Sequence, residues 1–242
     1  MNRLIWVDAI EYLEYSCDYY RMIFADPPDN INLGYTGFKD RSTEEDYARM
    51  LRSILVLGMN KANVIWLSIN PIHTALIGKT TYEFLEYAPN WEFKPCVQTF
   101  TFGQNNHRDL GIGHRLLYRY MRTGTQLYPD AVRVPSWRQL NGDKRADPRG
   151  KVPLDVFDFP RVTGNSKQRR RFSPTQLHEG VYERCVRLCC TEGDHVLDLF
   201  AGSGTLGRVG SRCEVDTTML EVSRKTCDAI LADQPGCKEL EW

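Results

Sequence analysis

Two stretches of the chain combine residue types and spacings that could do chemistry. The first is Phe24-Ala25-Asp26-Pro27-Pro28-Asp29-Asn30. Its two prolines fix φ and remove two N–H donors, so the loop is rigid and aims its neighbours. A carboxylate held there beside prolyl carbonyls can accept hydrogen bonds from an NH2 group. That is the task in amine methylation: hold the nitrogen, raise its lone-pair character and take up a proton. The second stretch, VLDLFAGSGTLGRV at 196–209, is an apolar run ending at Asp198, with Gly202, Gly204 and Gly207 before a helix. Glycine lets the backbone turn tightly and approach a ligand that a Cβ would exclude, and the helix N-terminus beyond favours an anion. Gly202-Ser203-Gly204-Thr205-Leu206-Gly207 also fits the dinucleotide fingerprint G-x-G-x-x-G. Glu221, 23 residues after Asp198, ends the next apolar run, where an acid would bind ribose hydroxyls. A nicotinamide and an adenosyl cofactor both satisfy this geometry, so the turn alone does not choose.

The elements that must position these residues follow from periodicity. Short β-rich apolar runs bounded by turn residues predict strands at 4–7, 22–25, 63–69, 97–102, 195–199 and 214–222. Helical spacing predicts helices at 44–57, capped by Thr43 or Ser42, at 174–190 and at 224–232. Strand–helix–strand alternation implies an α/β fold with a mainly parallel sheet covered by helices. Asp26 then sits at the carboxyl edge, where ligands of open α/β sheets bind. From 123 to 172 the apolar period fades and Pro, Gly, Arg and Lys dominate, which reads as an irregular insertion.

Together these segments resemble the β class of DNA amino-methyltransferases, whose catalytic motif is [DNS]-P-P-[YFW] and whose cofactor motif is F-x-G-x-G. They stand here as Asp26-Pro27-Pro28-Asp29 and Phe200-Ala201-Gly202-Ser203-Gly204, catalytic motif first, in the circularly permuted order of that class. Ser173-Pro174-Thr175-Gln176-Leu177 resembles the H-P-T-Q-x-P segment that helps enclose the cofactor, with Ser173 in place of the usual His. Glu221, with Val222 beside it, matches the ribose-binding acid. Asp8-Ala9 in VDAIEYL matches the G-D-A-x-E-x-L opening, whose Asp contacts the cofactor adenine. VFDFPRV at 156–162 resembles the short segment before the S/H-P-T-Q stretch.

The match covers most of the chain outside 123–155. It implies a Rossmann-like, seven-stranded, mostly parallel sheet of class I methyltransferases. The catalytic half spans 1–122, the basic insertion with target recognition 123–172, and the cofactor half 173–242. The implied methyl donor is S-adenosylmethionine, leaving S-adenosylhomocysteine. The cofactor residues are Asp8, Ala9, Asp26, Pro174, Thr175, Gln176, Asp198, Phe200, Ala201, Gly202, Ser203, Gly204, Thr205, Glu221 and Val222. Transfer is in line from sulfonium to nitrogen, without a cysteine nucleophile or a metal. The base must be flipped out of the duplex, because stacking hides its amino group.

One departure bears on the target. The motif aromatic that stacks on the flipped base is absent, and Asp29 stands in its place. Tyr35, in the same loop, or Trp66 is expected to replace that platform, giving Asp26, Pro27, Pro28, Asp29 and Tyr35 as the catalytic group. Within the class Asp-Pro-Pro leans towards adenine N6 and Ser-Pro-Pro towards cytosine N4. Cytosine stays open as the alternative, as does a DNA- or cofactor-binding protein whose activity is altered or lost at Asp29. A methyltransferase for another amine is a further rival, against which the motif order argues.

Composition sets the outer bounds. With 42% hydrophobic and 26% charged residues over 242 positions, the chain can bury a globular core. Thirty-one basic residues balance thirty-one acidic ones, so only local clustering can speak for nucleic acid. Between 133 and 171 eleven Lys and Arg face four Asp, a local charge of +7. This is the electrostatic footprint of phosphate contacts, and Arg138, Lys144, Arg145, Arg149, Lys167, Arg169, Arg170 and Arg171 are its DNA-binding candidates. Arg108, Arg115, Arg119 and Arg122 would extend it. Double-stranded DNA is the expected partner. A homodimer and a cognate restriction endonuclease are compatible partners, as are orphan or phage settings. The eight cysteines form no C-x-x-C and read as free thiols. Gly78-Lys79-Thr80 is not a phosphate loop, since His73 stands where the first glycine is needed. His107 and His114 read as ordinary polar positions. The N-terminus lacks a secretory pattern, which points to a soluble cytoplasmic protein without a membrane span.

Overall fold

The computed structural model describes residues 1–35, 38–101 and 107–242. The strands are β1 (Asn2–Trp6), β2 (Tyr20–Ala25), β3 (Ala62–Ile69), β4 (Trp91–Thr99), β5 (His114–Arg122), β6 (Val156–Asp158), β7 (His195–Asp198), β8 (Asp216–Glu221) and β9 (Cys237–Leu240). The helices are α1 (Ala9–Tyr15), α2 (Glu44–Gly58), α3 (Thr74–Tyr87), the single turn α4 (Trp137–Leu140), α5 (Glu179–Cys189), α6 (Thr205–Arg212) and α7 (Arg224–Asp233). One sheet runs in the order β6-β4-β5-β3-β2-β7-β8-β1-β9. Every pairing is parallel except the two that β5 makes with β3 and β4. The expected seven strands are the inner seven. Three-residue β6 and four-residue β9 add one short strand at each edge, too brief to show a period in sequence.

The apolar runs are continuous because the sheet is buried on both faces. In β2 and β3, Ile23, Ala25, Ile65 and Leu67 pack under α1, α2 and α3, while Met22, Phe24, Val64 and Trp66 pack under α5 and α6. α7 lies over Leu4 and Met219 on that second face.

Several boundaries moved. The helix expected over 174–190 begins at Glu179, because residues 174–177 are tied by side-chain bonds outside any helix and His178 caps α5, its Nδ1 accepting from Gly180 N at 3.0 Å. β4 starts at Trp91 and ends at Thr99, and Phe102 lies outside the described residues. The 123–172 segment is less irregular than its composition suggests, since β6 joins the sheet beside β4. Two helices, α1 and α3, and strand β5 had not been separated from their surroundings in sequence.

The topology puts the two chemical stretches together. β2 turns to β3 on one side and β7 to β8 on the other, so β2 and β7 are neighbours at a switch point. Asp8, Asp26, Asn70, Leu199 and Val222 all follow the carboxyl ends of parallel strands. β5 runs the other way, so its first residues, His114 and Arg115, arrive at that same edge.

Candidate active site

At this edge two cavities meet. One cleft, about 1100 Å3 including its open mouth, lies over the glycine turn, and a wider one, about 2100 Å3 on the same measure, opens beyond the Pro-Pro loop. Asp26, Tyr35 and residues 174–177 border both.

The narrower cleft is built by turn chemistry. Gly202 and Gly204 adopt φ of +50° and +67°, which a side chain rarely tolerates. A Cβ on Gly204 would also collide with Gln234 Nε2, which donates to Gly204 O at 2.8 Å. Glu221 braces the turn: Oε2 accepts from Gly202 N at 3.1 Å and Oε1 from Ser223 N at 2.9 Å. Burial raises the Glu221 carboxyl, against the lowering by these amides. Asp8 accepts from Ile10 N and Glu11 N through Oδ1 and so caps α1. The roof is the Pro174–Gln176 segment. Ser173 Oγ donates to Thr175 O at 2.7 Å, Gln176 Nε2 to Gln168 O at 2.8 Å, and Arg169 to Pro174 O at 3.2 Å.

Of the residues expected around a cofactor, Asp8, Ala9, Asp26, Pro174, Thr175, Gln176, Phe200, Ala201, Gly202, Ser203, Glu221 and Val222 line this cleft. Asp198, Gly204 and Thr205 do not; they form the layer beneath. Asp198 is fully buried, with Oδ1 accepting from Phe200 N at 3.1 Å and Oδ2 without a partner. Desolvation pushes its carboxyl up to about 7, the Phe200 amide opposing, with Asp26 and Glu221 adding to the rise. Among the described residues no Lys or Arg lines the cleft, whereas Asp8, Asp26 and Glu221 do. The acids of this lining favour a ligand that carries positive charge.

Asp26 sits on the wall between the cavities, and its partner is Arg115. Arg115 Nη2 donates to Asp26 Oδ1 at 2.7 Å and to Asp29 Oδ1 at 2.9 Å, Nη1 to Asp29 Oδ2 at 3.0 Å, and Nε to Ser68 Oγ at 2.6 Å. Asp29 is 6% exposed. Asn70 Nδ2 reaches its Oδ2 at 3.4 Å and His73 Nε2 donates to its carbonyl at 2.7 Å. Asp29 thus turns its carboxylate to Arg115 and offers the wider cavity, which it borders, no ring for stacking. Arg115 is mostly buried and faces the site rather than a basic surface. A partial signal was present: an arginine inside the run HRLLYRYMR needs a partner if that run is buried, and Asp29 was an unmatched acid, although Arg119 and Arg122 of the same run rest on Trp66 and Trp91 instead.

Of the two substitute platforms, Trp66 is excluded. It is 0% exposed, edge-on to Phe157, with Nε1 donating to Cys189 Sγ at 3.4 Å. Tyr35 borders both cavities, its hydroxyl 3.2 Å from Thr175 Oγ1. The loop carrying it is shaped by buried Asp40, which accepts from the backbone of Asn30, Ile31 and Leu33. Thr36 and Gly37, which follow, lie outside the described residues.

The basic cluster is less uniform than its charge count. Arg138, Lys144, Lys167 and Arg171 are exposed. Arg145 and Arg149 are also exposed but pair with Asp143 at 2.9 Å and Asp147 at 3.1 Å. Arg170 binds Asp233 at 2.8 Å, and with Arg169 it supports the 173–177 segment. Arg119 lies over Trp66 and Arg122 over Trp91, so neither extends the patch. All eight cysteines are free thiols, and no helix among the described residues is long and apolar enough to cross a membrane.

Comparison with known proteins agrees with this geometry. The DNA methylase family model for N6 and N4 enzymes matches residues 20–232. The chain is 34% identical to the type II methyltransferase M.HpaI of Haemophilus parainfluenzae over 94% of its length and 74% of the relative's. It is 26% identical to the DNA adenine methyltransferase YhdJ of Escherichia coli strain K12, covering 78% of this chain and 67% of that protein. Its fold matches the PvuII cytosine-N4-specific DNA methyltransferase with a TM-score of 0.72, at 12% identity over 95% of this chain and 85% of the other. It matches M1.HpyAVI in complex with SAM with a TM-score of 0.66, at 16% identity over 96% and 98%. A doubly wound sheet with an acid-lined cleft at its switch point, and a family match across nearly its whole length, make this chain a member of the N6/N4 family of DNA amino-methyltransferases.

Proposed function

We propose that the chain transfers the methyl group of S-adenosylmethionine to the N6 amino group of an adenine flipped out of double-stranded DNA. The observation that carries this reading is Asp26 on the wall between two connected cavities, with one oxygen bound to Arg115. The acceptor capacity that remains to this carboxylate, with the Pro27 carbonyl, takes the hydrogens of an amine in the wider cavity. The narrower cleft fits the donor by chemistry: Glu221 for the ribose hydroxyls, Asp8 at the adenine end, and acids without opposing cations for a sulfonium and an ammonium.

Bound there, the donor supplies a methyl group activated by sulfonium. The chain's residues hold the amine in line, exclude water and receive the proton released when nitrogen is alkylated, Asp26 being the acceptor. Tyr35 is the ring against which the flipped base stacks. Duplex DNA approaches through the wider cavity, with Arg138, Lys144, Lys167 and Arg171 on its phosphates. Asp-Pro-Pro favours adenine, and YhdJ is named for that base.

Incubation with methyl-labelled donor and duplex DNA, then digestion and nucleoside mass spectrometry, tests the reading. N6-methyladenine is expected. N4-methylcytosine would overturn the base assignment while keeping the chemistry. No methylated nucleoside, with donor binding intact, would overturn the reading.

A further inference from the structure

Asp29 occupies a position where a ring is expected, and its burial needs a reason. It lies within hydrogen-bond reach of the same guanidinium that holds Asp26. We propose that Arg115 and Asp29 form a positioning pair for Asp26, in which the guanidinium fixes the direction of the Asp26 carboxylate and Asp29 leaves the cluster one net negative charge. This rests on the proposed methyl transfer and adds to it a positioning residue from β5.

The argument is geometric. Arg115 is clamped on three sides: Ser68 on Nε, both oxygens of Asp29 on Nη1 and Nη2, and Asp26 Oδ1 on Nη2. A planar guanidinium so held has one orientation, and it transmits that orientation to Asp26. Asp29 is itself pinned by Asn70 and His73 from the segment after β3. The charge count gives the second role. Two carboxylates and one guanidinium leave one negative charge. Without Asp29 the guanidinium would face Asp26 alone and neutralise it, weakening its hold on amine hydrogens and on a proton. Without Arg115 two carboxylates would lie close together in a buried site, and one would keep its proton.

The other titratable groups facing Asp26 are Tyr35 from its own loop, Tyr47 from α2, Tyr182 from α5 and Asp198 from β7. Burial pushes all three phenols up, so they stay neutral near pH 7. Asp198 must be separated from Asp26, and so must His73, the titratable ring bonded to the Asp29 carbonyl, which His73→Gln removes.

The test is the carboxyl titration of Asp26, followed by 13C resonances in aspartate-labelled protein and assigned with Asp26→Asn and Asp198→Asn. Asp29→Asn should move it to lower pH and Arg115→Gln to higher pH, each by about one unit or more. Arg115→Lys, which keeps the charge but not the fork, should fall between parent and Arg115→Gln. The acid limb of the kcat profile should follow each shift, and KM for the donor should change less than about threefold. Shifts of the same sign in the two variants, or no shift, would overturn the pair. If Arg115→Gln does not fold, Asp29→Asn and Arg115→Lys decide. A parent that titrates and responds as described but methylates no DNA would refute the proposed function and leave the pair standing.

Discussion

Replacing Tyr35 with alanine removes the only aromatic ring that, among the described residues, borders both cavities. The size of the effect follows from its neighbours. Stacking of a base on an aromatic side chain is worth about 1–3 kcal/mol, and each 1.36 kcal/mol is tenfold in rate. Tyr35→Ala should therefore lower kcat/KM for duplex DNA by about 5- to 150-fold. The hydroxyl contributes separately through Thr175 Oγ1 at 3.2 Å. A net hydrogen bond of about 0.5–1.5 kcal/mol makes Tyr35→Phe about 2- to 13-fold slower. Steady-state transfer of labelled methyl gives kcat/KM, and 2-aminopurine at the target position reports whether the base is held outside the stack. Burial pushes the Tyr35 hydroxyl up to about 12, so the ring is neutral under all these conditions and no charge effect intrudes. A Tyr35→Ala enzyme at the parental rate would refute the platform. A Tyr35→Phe enzyme as slow as the alanine variant would assign the effect to the hydroxyl instead of the ring.

Glu221→Gln replaces one oxygen that accepts from Gly202 N or Ser223 N with an NH2, and removes a charged acceptor. Donor affinity by calorimetry should fall about 10- to 150-fold, at about 1.5–3 kcal/mol for a charge-assisted bond, and an unchanged Kd would remove Glu221 from the donor site. Asp198 gives a stability prediction. Its carboxyl is raised from an unfolded value of about 3.9 to about 7, so the folded chain binds more protons than the unfolded one between those values. Stability of the ligand-free protein should thus decline as pH rises through that window and level off above it. In urea unfolding across the same range Asp198→Asn should lose that decline, and equal slopes for the two proteins would refute the buried, raised carboxyl. Finally, Lys144→Ala, Lys167→Ala and Arg171→Ala should each reduce the slope of log Kd for DNA against log salt by about 0.9. Arg170→Ala, whose charge is bound to Asp233, should leave that slope alone and lower thermal stability. A triple variant with the parental slope would move the DNA contact elsewhere.

Much of this site was legible before any fold was known, because it rests on local chemistry. Asp26-Pro27-Pro28 is a loop whose rigidity is covalent, and the strand-to-glycine turn at 198–204 needs left-handed backbone that few residues adopt. Both are written in consecutive residues, as are the strands at 22–25 and 63–69, whose unbroken apolar runs announce a sheet covered on both faces. Exposure and pairing could not be read in the same way. Trp66 looked like a candidate platform in sequence, yet alternation along β3 turns it into the packing under α5. The +7 segment looked like one basic surface, yet Arg170 is bound to an acid from α7 more than sixty residues away. Asp29 looked like a lost aromatic, and only the antiparallel course of β5, which brings Arg115 to the carboxyl edge of β3, shows that it is half of an ion pair. Backbone stiffness and side-chain pattern act between neighbours in the chain, so the sequence alone determined the two site loops, the long apolar strands and the family likeness. Which charges meet depends on strand order and direction, and only the tertiary structure decided that the Arg115 guanidinium would stand beside the Asp26 carboxylate.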